Sequence, residues 1–141
     1  LPTSTVINKA DDPNEKMIAY CWHSVPGYSK IGSYYGNGST DGKFVYTGFK
    51  PAFVLLKRHT DSANNWEIRD NKRVPNNPNN ERLFPNTNDI KSVGEGVDFF
   101  NNGFKIRNSG TGSNSNDKVY IYMAFAEQPL TTQYGTQSNG E

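Results

Sequence analysis

The sequence predicts an all-β chain: an antiparallel β-sandwich, jelly-roll-like, of about eight or nine strands with extended polar termini. Three observations lead there. The 141 residues are only 33% hydrophobic, and the apolar ones come in short bursts between runs of Asn, Gly, Ser, Thr and Pro. Asn and Gly accept positive φ and Pro fixes φ, so such runs are turns. Aromatic residues reach 13%, and aromatic side chains favour strands. No segment keeps a convincing 3.6-residue apolar period.

The elements follow in order. Residues 1–16 form a polar arm, in which Asp12-Pro13-Asn14-Glu15 suits one helical turn, with Asp12 as N-cap, Pro13 at the first helical position and Glu15 at the third. Strands are expected at 17–23, 30–35, 44–47, 52–58, 66–70, 97–100, 104–107 and 119–127, with 81–84 as a ninth. In the last of the eight, Val119, Ile121, Met123 and Phe125 share one face and Tyr120, Tyr122, Ala124 and Ala126 the other. Neither face is charged, so this strand belongs mid-sheet with both faces covered. Ala52-Phe53-Val54-Leu55-Leu56 reads the same way. Asn101-Asn102-Gly103 predicts a hairpin, since Asn and Gly take the left-handed conformation. Gly36-Asn37-Gly38 and Asp41-Gly42 mark a second turn region, 109–117 an exposed, mobile loop, and 130–141 a polar tail. The module itself is placed at 17–129.

One internal echo stands out. Met17-Ile18-Ala19-Tyr20-Cys21-Trp22-His23-Ser24-Val25-Pro26 parallels Tyr120-Ile121-Tyr122-Met123-Ala124-Phe125-Ala126-Glu127-Gln128-Pro129. Either two strands draw on one small alphabet, or 17–26 is the closing strand of a neighbouring module or subunit.

Residues 19–30, Gly32-Ser33-Tyr34-Tyr35-Gly36-Asn37-Gly38, 44–58, Asn65-Trp66, Asp98-Phe99-Phe100-Asn101-Asn102-Gly103-Phe104-Lys105 and 120–127 carry a resemblance. Together they resemble a module of uncharacterised function that recurs, often in tandem, in tail-fibre-like and other virion proteins of marine bacteriophages. The resemblance covers about residues 17–129 and implies a virion or extracellular setting, with no catalytic residues. It favours the tandem origin of 17–26.

Charge excludes some functions. With 15 basic and 14 acidic residues the chain is net +1, and no basic cluster suits nucleic acid. No apolar run reaches the length of a membrane helix, so no membrane insertion is expected. The chain opens on Leu1 without a signal-like segment, as expected of a processed product or a fragment. The one cysteine, Cys21, sits among apolar neighbours and reads as a small buried hydrophobe.

Catalytic and metal signatures are weak. His23 and His59 lack ligand spacing, no Gly-x-Ser-x-Gly elbow surrounds any serine, and no phosphate loop is present. Residues 61–64 and 86–89 offer oxygen ligands without the spacing of a calcium loop. Glycoside cleavage would need two facing carboxylates drawn from Glu67, Asp70, Glu95, Asp98 and Glu127. Sugar binding has the better residues. Tyr34, Tyr35 and Trp66 are the glycan-contact candidates, set against the reading of such aromatics as core or sheet cover. Asn37-Gly38-Ser39 is a glycosylation sequon that matters only in a eukaryotic secretory route.

The expected function is therefore a structural subunit of a phage fibre or another extracellular or virion-surface assembly, with no cofactor and no enzymatic activity. Its partners are other copies of itself, met through the arms and strand edges. The subunit-contact candidates are Met17, Ile18, Tyr20, Trp22, Leu130 and Tyr134. The alternative is a carbohydrate-binding attachment module for a cell-surface glycan, and a glycan-cleaving enzyme comes third.

Overall fold

A computed structural model describes residues 19–60 and 64–129. The arm with its expected helical turn, Met17, Ile18, Leu130, Tyr134, the tail and most of 61–64 lie outside the described residues.

The architecture is an all-β sandwich of eight strands: β1 (Ser29–Tyr35), β2 (Phe44–Tyr46), β3 (Pro51–Arg58), β4 (Glu67–Asp70), β5 (Asn79–Arg82), β6 (Ser92–Phe100), β7 (Gly103–Ile106) and β8 (Val119–Ala126). They form two four-stranded antiparallel sheets, in the orders β1-β8-β3-β4 and β2-β7-β6-β5. Pairing of β1 with β8 and of β2 with β7 is the nesting of a jelly roll. The inner strands depart from it, because β4 stays on β3 and β6 pairs with both β5 and β7. An isolated bridge between Ile68 and Leu83 ties β4 to the chain just beyond β5.

Period-two alternation builds the core. Tyr34, Val54, Leu56, Tyr120, Tyr122 and Ala124 point inward from one sheet; Val45, Val97, Phe99, Phe104 and Ile106 from the other. Tyr34 stacks on Tyr120 with ring centroids 5.2 Å apart, and Phe104 meets Tyr122 edge-on at 5.5 Å.

Several expectations are corrected. Residues 19–24 form no strand and stay outside the sheets, and Val25 makes a single bridge to Ser29. Cys21 is exposed rather than buried. The loop 109–117 folds inward: Ser113 and Asn114 are fully buried. The Asn114 amide donates to Asn37 Oδ1, Ser39 O and Asn108 O at 2.7–2.8 Å, and its Oδ1 accepts from the Asn37 N–H. A polar side chain here supplies the hydrogen bonds that a strand would otherwise supply. β5 starts two residues before 81, since Asn79 is a buried strand residue whose amide reaches Asp70 O and Val74 O. β6 starts at Ser92, and its first half carries Gly94 and Glu95 at φ +125° and +51°, so apolar alternation is broken there.

The hairpin of β6 and β7 turns at Asn101-Asn102 as expected, yet none of Asn101, Asn102 and Gly103 has positive φ. Gly103 is needed for a different reason. A Cβ there would stand 2.2 Å from Val45 O and 2.8 Å from the Phe44 ring, so only glycine lets β2 close on β7.

Candidate functional site

Three places outside the core hold unusual groups. The first is the outward face of the β1-β8-β3-β4 sheet. β8 does sit mid-sheet, but its face bearing Ile121, Met123 and Phe125 is not covered as expected. By register, Ile31, Met123, Leu55 and Ile68 form one row across all four strands, and Phe125 and Phe53 lie beside one another in the next. The result is a groove of about 750 Å³. Its walls are Phe53, Leu55, Met123 and Phe125, then Trp66 and Pro85 on the β4 side, and Tyr20 and Trp22 from the chain before β1. Tyr20 and Trp22 stack at 5.8 Å. Asn86 is the polar member, its Oδ1 accepting the Trp66 N–H and its amide donating to Asn65 Oδ1.

The three glycan-contact candidates do not converge. Tyr34 is corrected outright: it is buried between the sheets, and its hydroxyl donates to Ser113 O at 2.7 Å. Burial pushes its phenol well above the ordinary tyrosine range, with the neighbouring Tyr120 and Glu67 acting in the same direction. Tyr35 is exposed at the end of β1, on the opposite side of the pleat from Tyr34. Trp66 alone lines the groove. Of the subunit-contact candidates within the described residues, Tyr20 and Trp22 share that groove.

The second place is the outward face of β2, β7 and β6. Tyr46, Gly103 and Phe100 lie in one row, and Phe44, Lys105 and Asp98 in the next. Phe44 and Phe100 meet edge-on at 5.9 Å over the glycine. Charges ring them: Lys105 bonds Asp41 at 2.6 Å, and Arg107 pairs with Asp98. Sequence reading missed this patch, although Phe44, Tyr46 and Phe100 alternate with the buried Val45 and Phe99, the one available signal.

The third is a buried charge chain. Arg69, fully buried, gives Nη2 to Glu67 Oε2 at 3.0 Å; Arg82 Nη1 bonds Glu67 Oε1 at 3.0 Å and also Glu95 Oε2. Burial pulls the Arg69 guanidinium below its ordinary value, and the Glu67 charge opposes the pull. Two glycines make the room. A Cβ at Gly112 would stand 2.1 Å from Glu67 Oε1, and one at Gly110 2.1 Å from Glu95 Oε1. The other carboxylates considered for glycan cleavage are also held by cations: Asp70 by Arg73, Asp98 by Arg107 and Glu127 by Lys50. Each therefore serves as an ion-pair partner in this geometry. Among the described residues no three of His, Cys, Asp and Glu gather to hold a metal, and no helix is long and apolar enough to cross a membrane.

Residues 2–129 match the model of a domain of unknown function, DUF7483. The chain belongs to that family. DUF7483 membership carries no activity with it, and the match takes in the chain before β1 as well as the sandwich. No curated protein and no solved structure matches the chain.

Proposed function

We propose that this DUF7483 domain is a non-catalytic building block of a surface assembly, a bacteriophage fibre or a comparable virion or extracellular structure. Copies join through the outward face of β2, β7 and β6. The observation that carries the reading is the aromatic patch there: Phe44, Tyr46 and Phe100 are 44%, 65% and 38% exposed and lie side by side. A contiguous aromatic patch rimmed by charges has the make-up of a protein interface. It also lies on a short strand, β2, whose far edge pairs with no strand among the described residues, the geometry that strand addition uses. Sedimentation velocity over a concentration series tests this. The wild-type chain associates as concentration rises, while Tyr46→Ser/Phe100→Ser stays monomeric with an unchanged far-ultraviolet spectrum. A wild-type chain that remains monomeric throughout contradicts the proposal.

A second reading, glycan attachment, is favoured by Trp66, a residue 36% exposed that lines the groove with Asn86 and follows Asn65. An aromatic face next to amides is what a sugar ring and its hydroxyls require. Binding on a glycan array that Trp66→Ala abolishes would support it, and an empty array would remove it.

A further inference from the structure

We propose that Lys50 and Asn71 become joined by an isopeptide bond, formed once within the chain, with Glu127 as the proton shuttle. Lys50 Nζ is the nucleophile, and the Asn71 carboxamide loses ammonia. The proposal is independent of the assembly reading, which rests on the other sheet.

Topology brings the three residues together. β3 lies between β8 and β4 and runs antiparallel to both, so β8 and β4 end where β3 begins. Lys50 stands one residue before β3, Glu127 one after β8 and Asn71 one after β4. Backbone bonds fix them there: the Glu127 N–H donates to Lys50 O at 2.8 Å, and the Asn71 N–H to Ala52 O at 3.0 Å. One carboxylate then holds both reactants. Lys50 Nζ meets Glu127 Oε2 at 2.7 Å, and Asn71 Nδ2 donates to Glu127 Oε1 at 2.6 Å. An ion pair alone accounts for Lys50 and Glu127 but not for Asn71. Its carboxamide is buried, and its Oδ1 has no hydrogen-bond partner among the described residues. Negative charge gathers on that oxygen when Cγ is attacked, so a donor there lowers the barrier. Glu127 becomes such a donor once it has taken a proton from Lys50.

Glu127 takes one proton from the Lys50 ammonium and leaves the free amine. The Nζ lone pair forms a bond to Asn71 Cγ, and the π pair of the carbonyl moves to Oδ1. As the carbonyl re-forms, the Cγ–Nδ2 bond breaks, and Nδ2 takes the Glu127 proton to leave as ammonia. Glu127 then removes the extra proton from the new amide nitrogen. No oxidant, reductant or cofactor is needed. The Lys50 side chain is 43% exposed, so its amine can turn from Oε2 toward Cγ, where attack needs a separation of about 3–3.5 Å. Lys50 and Glu127 open on a cleft of about 460 Å³. Ammonia escapes through it, which makes the step irreversible. The product clamps β4, a four-residue strand at the end of its sheet, to the inner strand β3.

The intact mass of the purified full chain reads the bond directly. The wild-type chain should weigh one ammonia less than its sequence requires, and trypsin should release a branched peptide joining residues 44–57 to 70–72. Lys50→Arg, which keeps the charge but not the amine, and Glu127→Ala should both keep the full sequence mass, with far-ultraviolet spectra showing that they fold. The wild-type mass and the branched peptide decide the matter even where a variant does not fold. A wild-type chain that keeps its full mass after prolonged incubation at mildly alkaline pH would overturn the proposal. So would the same loss in Lys50→Arg, or a loss without the branched peptide, since either places the lost ammonia at another residue.

Discussion

Single side chains carry much of the irregular half of this fold. Asn114 ties the β1–β2 loop to the β7–β8 loop through one amide. Replacing it with Ala removes several buried bonds and should cost about 2–4 kcal/mol, at about 1 kcal/mol each; chemical denaturation measures the loss. Gly112→Ala should destabilise by a different route, since its Cβ would collide with the Glu67 carboxylate. Tyr34 adds a pH signature. Its phenol titrates higher folded than unfolded, so the stability it brings is complete below the ordinary tyrosine value of about 10 and declines as pH rises beyond it. An alkaline absorbance titration should show Tyr34 ionising only as the chain unfolds. Tyr34→Phe should remove that lag.

At the scale of elements, strand existence was legible and strand function was less so. β1, β3, β7 and β8 begin and end within a residue of their expected bounds, because apolar and aromatic residues mark them, in β3 as one continuous run. β5 and the start of β6 were displaced, because Asn79, Gly94 and Glu95 hold their places by hydrogen bonds and backbone geometry that hydrophobic periodicity does not register. Residues 17–23 failed in the opposite way. Their alternation is strand-like, yet Ser24 takes up the β1 edge and the described part leaves the sheet. The same limit applies to the sites. Trp66, weighed between core anchor and glycan contact, stands part-exposed on the groove, whereas Tyr34 and Tyr35 are adjacent in sequence and opposite in space, a consequence of the pleat. The ion chain spans β4, β5 and β6, and no spacing rule joins residues 67, 69, 82 and 95. Arg69→Met should cost about 3–5 kcal/mol, because it strips a partner from a carboxylate that stays buried. Glu67→Leu/Arg69→Met should recover part of that loss, and thermal unfolding of the pair of variants decides it.

The whole molecule is a sandwich with more apolar surface than one core needs. Its central layer lies between the sheets: Phe104→Ala, at a fully buried site there, should cost about 3–5 kcal/mol. What remains outside is a groove on one sheet and an aromatic patch on the other. The ion-paired carboxylates and the aromatic rings on the outward faces are the features on which the proposed contact role rests. Hydrogen–deuterium exchange of the full chain at low and high concentration tests this most directly, because it reports both association and its location. The account predicts that amides of β2 and of the β6–β7 hairpin slow as concentration rises, while those of β4 do not change. Exchange that is independent of concentration over the whole chain, or slowing confined to the opposite sheet, would contradict it.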